Sequence, residues 1–151
     1  MANPEQFAKN MQAYADLIGT NAPLIVRTAA LAIDQAVVLA TPVDSGRARA
    51  NWLVSVDGPA QKTIPPYAPG KGGSTGGANA QAAIQQGQAA VAGYKFNSKA
   101  IHITNNLPYI GRLNEGWSAQ APAKFVEQAI EAGIRAVSRM RLLTRNRRDG
   151  I

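Results

Sequence analysis

The stretch from Asn21 to Leu39 constrains this chain more than any other. Leu24, Thr28, Leu31, Gln35 and Val38 fall along one face at helical spacing, and Val26, Ala29, Ala30, Ile33, Ala36 and Val37 spread apolar surface over the rest. A helix that is apolar over most of its circumference must be covered by other elements or other subunits. The spacing therefore predicts a central core helix or an oligomer contact. Asn21 suits the N-cap, Pro23 is tolerated in the first turn, and Pro42 biases Thr41 away from helical geometry and closes the segment. Arg27, Thr28, Asp34 and Gln35 interrupt the run. It thus falls short of the roughly 18 unbroken apolar residues that mark a membrane span, and no transmembrane helix is expected.

Around this helix the chain reads as one α+β domain over 1–151, with helices packed on a small antiparallel sheet and a long flexible Gly/Pro-rich loop. Phe7, Met11, Tyr14, Leu17 and Ile18 predict an N-terminal helix within 1–20, stopped by Gly19-Thr20-Asn21. Trp52 to Asp57 reads as a strand, with Trp52 in the core. Residues 58–79 are rich in Gly, Pro, Ser, Thr and Ala, and predict a mobile exposed arm that orders against a neighbour. An Ala/Gln-rich helix over 78–92 ends at Gly93. Tyr94-Lys95-Phe96 and Ala100 to Thr104 flank Asn97-Ser98-Lys99 as a hairpin. A last helix is expected over 122–143, with a ridge of Phe125, Ala129, Ala132, Ala136 and Met140 beside Val126, Ile130, Ile134 and Val137. A basic tail, 144–151, follows as a frayed end.

Composition excludes several chemistries. The absence of cysteine removes disulfides, thiolate metal sites and a cysteine nucleophile. No basic region followed by an apolar run opens the chain, so no signal peptide is expected. The net charge of +7 is uneven: from Glu131 onward six arginines stand against Glu131 and Asp149, a net +4, leaving +3 for the first 130 residues. Such an end favours an acidic partner or a phosphate backbone, and equally suits a solvated helix end.

No catalytic constellation emerges. His102 alternates with Ile101 and Ile103 in a strand, with no Asp, Glu or His at metal-ligand spacing. Gly70-Lys71-Gly72-Gly73-Ser74-Thr75-Gly76-Gly77 lacks the order of a phosphate loop and reads as a linker. Asp44 and Ser45 can bond nearby backbone N–H groups. Arg47 and Arg49 alternate in a strand-like register. Trp117 follows Glu115-Gly116, where rim and burial are equal readings. No enzyme activity, metal or cofactor is expected. The candidate interface residues are Arg47, Arg49, Tyr67, Lys71, Tyr109, Arg112, Glu115, Trp117, Arg139, Arg141 and Arg145.

Two segments carry a family resemblance. Thr41-Pro42-Val43-Asp44-Ser45-Gly46-Arg47-Ala48-Arg49 follows a helix and precedes a strand. Pro108-Tyr109-Ile110, Leu113-Asn114-Glu115-Gly116 and Ala121-Pro122-Ala123-Lys124-Phe125 then come in order before the last helix. Together they resemble the tail-completion (head–tail joining) family of long-tailed bacteriophages. Ala48 replaces a larger aliphatic of that pattern, and Asn114 falls where the family has Glu, with Glu115 one place later. The resemblance implies a structural virion protein that forms a ring, commonly a hexamer, at the head-proximal end of the tail. It would join a tail terminator or tube protein to the connector or stopper below the head, with possible non-specific contact to DNA in the lumen. It would be found in the virion neck, and in the host cytoplasm during assembly. Two alternatives stand beside it: a tail terminator, and a nucleic-acid-binding protein using the Arg-rich C-terminal helix.

Overall fold

The computed structural model describes residues 4–5 and 22–149, with side chains from Pro23 to Arg139. The N-terminal helix expected within 1–20, and the side chains of Met140, Arg141 and Arg145, lie outside the described residues. The described elements are α1 (Ala22–Ala40), α2 (Arg47–Ala50), β1 (Leu53–Val56), α3 (Gly76–Ala92), β2 (Ile101–Thr104), α4 (Ile110–Asn114) and α5 (Phe125–Asp149). β1 and β2 form a two-stranded antiparallel sheet in which Leu53 faces Thr104 and Val56 faces Ile101. The fold is α+β.

α1 is the centre of the domain and packs against α5 and α3. Despite the interruptions at Arg27 and Asp34, Pro23–Ala40 is long and apolar enough to cross a membrane by length and composition alone, a test that a core helix also passes. Its buried line is Ala30, Asp34, Val37 and Val38, continued by Thr41. The mixed face of Leu24, Thr28, Leu31, Gln35 and Val38 is divided: Val38 is buried, Thr28 and Leu31 are half-buried, and Leu24 and Gln35 are exposed. Two consecutive residues of α1 rest on glycines. A Cβ on Gly133 of α5 would stand 2.9 Å from the Ile33 Cα and backbone N, and one on Gly87 of α3 would collide with the Asp34 carboxylate. At Gly133 α5 thus approaches the α1 backbone more closely than a side chain permits, while at Gly87 the Asp34 side chain fills the space against α3.

The main core joins Val37 and Val38 to Trp52, Ala80, Ala83, Ala121, Phe125 and Ala129, and a second cluster holds Ala30, Val54 and Val91. Small alanines recur because the helices sit so close. On α5 the buried ridge is Phe125, Ala129, Gly133 and Val137. Ala132 and Ala136, expected on that ridge, face solvent. The helix also continues to Asp149, through most of the segment expected to fray.

Two further expectations are corrected. Arg47 to Ala50 is one turn of helix, not the start of a strand, because Gly46 takes φ 90° and swings the chain into the turn. Any side chain at Gly46 would also run into Asn79. The expected hairpin does not form: β2 pairs with β1, and 94–100 is a turn joining α3 to β2. Asp57 selects this pairing. Its N–H donates to Ala100 O at 2.8 Å, and its Oδ1 accepts the N–H groups of Lys99 and Ala100. Tyr94 N–H meanwhile closes the end of α3 on Val91 O at 2.9 Å.

The segment expected as a free arm lies along the body, and its last residues, from Gly76, belong to α3. Asn106 Nδ2 donates to Ala60 O at 2.7 Å, Asn51 binds Ile64, Asn79 binds Ala68, and Asp44 Oδ1 accepts Gly72 N–H at 2.9 Å. These contacts make it a strap. It has no strand partners, so side chains take up its backbone groups, as buried or half-buried peptide groups require.

The same device recurs four times. Asn51 brackets Ile64, donating to its O at 2.8 Å and accepting from its N–H at 2.8 Å. Asn79 brackets Ala68 at 2.7 and 3.1 Å, and Gln86 brackets Val54 at 2.9 and 3.0 Å. Gln120 brackets Val43 at 2.8 and 2.8 Å. A primary amide presents one donor and one acceptor side by side, the same pair that a neighbouring strand presents. Gln86 in this way closes the outer edge of β1 without a third strand.

Candidate functional site

The Gln120–Val43 bracket brings the two motif segments together. Between them lies a cleft of about 200 Å³. One wall comes from the junction after α1: Pro42, Val43, Asp44, Ser45, Gly46 and Ala48. The other comes from α4 and the loop after it: Tyr109, Leu113, Ser118 and Gln120.

The junction is held rigidly from behind. Thr41 Oγ1 donates to Val37 O at 2.6 Å and accepts the Trp52 Nε1–H at 2.8 Å. Arg49 lies across the end of α1, donating to Leu39 O at 3.1 Å, Thr41 O at 3.0 Å and Gly76 O at 3.1 Å. It neutralises carbonyls that the helix end leaves without partners and ties them to the start of α3. Burial lowers its pKa from the usual arginine value. Arg49 therefore belongs to the scaffold and is not a free interface cation.

The far wall is tied to α5 through Asn114. Its Oδ1 accepts Val126 N–H at 2.9 Å, and its Nδ2 donates to the Glu127 carboxylate at 3.0 and 3.1 Å. That hydrogen bond, with a backbone bond and the Lys124 charge, holds Glu127 below the usual carboxylate range. Asn114 thus serves as a remote cap for α5.

The cleft is lined by apolar Pro42, Val43, Ala48 and Leu113 beside polar Asp44, Ser45, Ser118 and Gln120, and the polar groups are taken up in local contacts. Ser45 Oγ accepts Arg47 N–H at 3.3 Å and Ser118 Oγ accepts Gln120 N–H at 3.2 Å, each a turn-stabilising contact. The Asp44 carboxylate is engaged with the strap at Gly72. No histidine reaches the lining. Among the described residues no three His, Cys, Asp or Glu side chains converge to hold a metal ion. His102 stands in β2 opposite Ser55, away from the cleft lining.

Of the expected interface residues, Tyr109 is the one among the cleft lining, and Arg47, Arg112, Glu115 and Trp117 lie within two residues of lining positions in sequence. Burial raises the Tyr109 pKa against the opposing charge of Arg47. Arg47 Nε reaches Ile64 O at 3.4 Å. Arg112 stacks 5.3 Å above the Trp117 ring, and Trp117 is 71 % exposed just before Ser118. Glu115 is exposed at the end of α4. Tyr67 and Lys71 sit apart on the strap; burial and the charge of Asp34 raise the Tyr67 pKa. Arg139 is exposed on α5, distant in sequence from the cleft walls.

Asp34 is a group that sequence reasoning did not select. It is 1 % exposed, and neither carboxylate oxygen has a hydrogen-bond partner among the described residues. Burial raises its pKa to about 7. Arg27, two turns earlier on α1, makes no hydrogen bond to it, and its own Nε is also buried without a partner.

Comparison of the chain with protein-family models, with curated protein sequences and with solved structures gives no match in any of the three.

Proposed function

We propose that this chain is a structural subunit of a long-tailed phage, assembling as a ring at the head-proximal end of the tail and joining the tail to the head connector. The supporting observation is the union of the two family-like segments, far apart in sequence, into one bracketed cleft. A cleft with mixed apolar and polar walls, an exposed tryptophan next in sequence to one of its lining residues and no convergent catalytic group suits protein contact better than chemistry. A hexamer is the expected stoichiometry. The partners are a tail terminator or tube protein on one side and a connector or stopper on the other, in the virion neck.

The test is electron microscopy of lysates from a phage with an early stop in this gene. DNA-filled heads beside finished, unjoined tails are the expected result. Abnormally long tails would move the assignment to tail termination, and normal joined particles would remove the neck role.

A second reading draws on Arg135 and Arg139, exposed on α5 within the basic C-terminal stretch. A nucleic-acid-binding protein would hold free duplex DNA with an affinity that falls steeply with salt. The ring reading expects little affinity for free duplex at physiological salt.

A further inference from the structure

Phe96 is 84 % exposed, at the tip of the turn between α3 and β2. The turn is a built feature: Ser98 N–H donates to Lys95 O at 3.0 Å, Lys95 N–H donates to Ser98 Oγ at 3.0 Å, and Asp57 fastens its base. This hydrogen-bonded turn holds the Phe96 side chain in water, outside the subunit's core.

The antiparallel sheet places this turn opposite the cleft. Val56 and Ile101 form the end that carries the turn. Leu53 and Thr104 form the other end, where α2 and Trp52 lead into β1 and Asn105 Nδ2 donates to Ala48 O at 3.0 Å, drawing the start of the far wall against the junction. The aromatic knob and the cleft thus sit off opposite ends of the sheet. They also match in size and charge. An apolar cavity of roughly 150 Å³ accommodates a benzene-sized ring, and this cleft measures about 200 Å³. Exposed Lys95 and Lys99 flank the knob, while Asp44 lines the cleft and exposed Glu115 ends α4 beside Leu113. Arg47 and Arg112 keep their charge nearby, with their guanidinium groups directed to Ile64 O and to the Trp117 ring.

We infer that Phe96 of one copy inserts into the cleft between Val43, Tyr109 and Leu113 of the next, with Lys95 and Lys99 facing Asp44 and Glu115. Two different surfaces on opposite sides of a subunit make a heterologous contact, the kind that closes into a ring when the rotation per step permits. The inference rests on the ring reading above and names its joint.

The absence of cysteine makes the joint directly mappable. The double variant Asn97→Cys with Ser118→Cys, which keeps Phe96, is assembled and oxidised. The expected product is a ladder of covalent multimers, while a mixture of the two single variants stops at the dimer. Phe96→Asp is expected to raise the concentration needed for assembly about tenfold or more, with the monomer's thermal unfolding unchanged. Oligomers that persist in Phe96→Asp, with no 97–118 disulfide in the assembled double-cysteine variant, overturn the joint and leave the ring reading standing. Self-crosslinking of Asn97→Cys alone overturns it too, because that contact would be two-fold. Wild-type protein that stays monomeric at high concentration, and is missing from the necks of purified virions by immunolabelling, removes the ring reading and the joint together.

Discussion

Ile33 and Asp34 are neighbours on α1, each pressed onto a glycine of a different helix, yet the two contacts differ in kind. At Gly133 the partner is an aliphatic residue, including its backbone, and close approach gains dispersion without leaving a polar group dry. At Gly87 the partner is a carboxylate with no hydrogen bond among the described residues. Glycine at the first seat permits tight packing. At the second it makes room for a group whose ionised form the site disfavours. One seat is expected to be insensitive to pH and the other governed by it.

The largest effect expected from this contrast is on pH dependence. The Asp34 pKa is raised from 3.8 to about 7, so the folded state binds a proton that the unfolded state has already released. The group's contribution is most favourable below pH 4, and stability is lost as pH rises from there through 7, by about 4 kcal/mol in all. Denaturant unfolding of wild type and Asp34→Asn across pH 5 to 8.5 should show the variant gaining roughly 3 kcal/mol relative to wild type over that range. Parallel profiles would mean that Asp34 has a partner after all.

Gly133→Ala comes next. Its methyl would meet the Ile33 backbone, which cannot turn aside. A loss of about 2 kcal/mol, equal at pH 5 and 8.5, is expected despite the better helix propensity of alanine. The smallest effect belongs to Gly87→Ala, where the new methyl meets mainly the end of a side chain that can rotate. Its cost should be about 1 kcal/mol and should vanish or change sign in an Asp34→Ala background. A cost that survives there would place the crowding at Val54, whose Cγ2 would lie 3.2 Å away.

Much of this fold was legible in the sequence, and the rest hid for identifiable reasons. The bounds of α1 were written in Asn21 and Pro42, and the strand after Trp52 and the end of α3 at Gly93 were equally local. The hairpin was misread because Asn97-Ser98-Lys99 is a sound turn signal, whereas the pairing is decided by Asp57, far away in sequence. Arg47 and Arg49 alternate as strand residues would, and Gly46 alone redirects them into a helical turn. At the cleft, Tyr109 was legible as part of a motif. Gln120 was not, and among Gln81, Gln85, Gln86 and Gln88 nothing in the sequence marks Gln86 as the one that reaches β1. Asp34 looked like an interruption of an apolar helix because burial is a property of three elements meeting.

The asparagine brackets on the strap imply an asymmetry in how this protein can vary. Asn51 and Asn79 grip Ile64 and Ala68 only by their peptide groups, which nearly every amino acid supplies. The strap's spelling is therefore largely unread by the body that holds it, whereas an aspartate at either bracket would lose its donor and a glutamine would overshoot by a methylene. Under selection for folding, a library randomised at 64 and 68 should return many residues at both, proline excepted, while 51 and 79 should return to asparagine. Positions 64 and 68 can drift toward new partners, provided that Asn51 and Asn79 stay fixed.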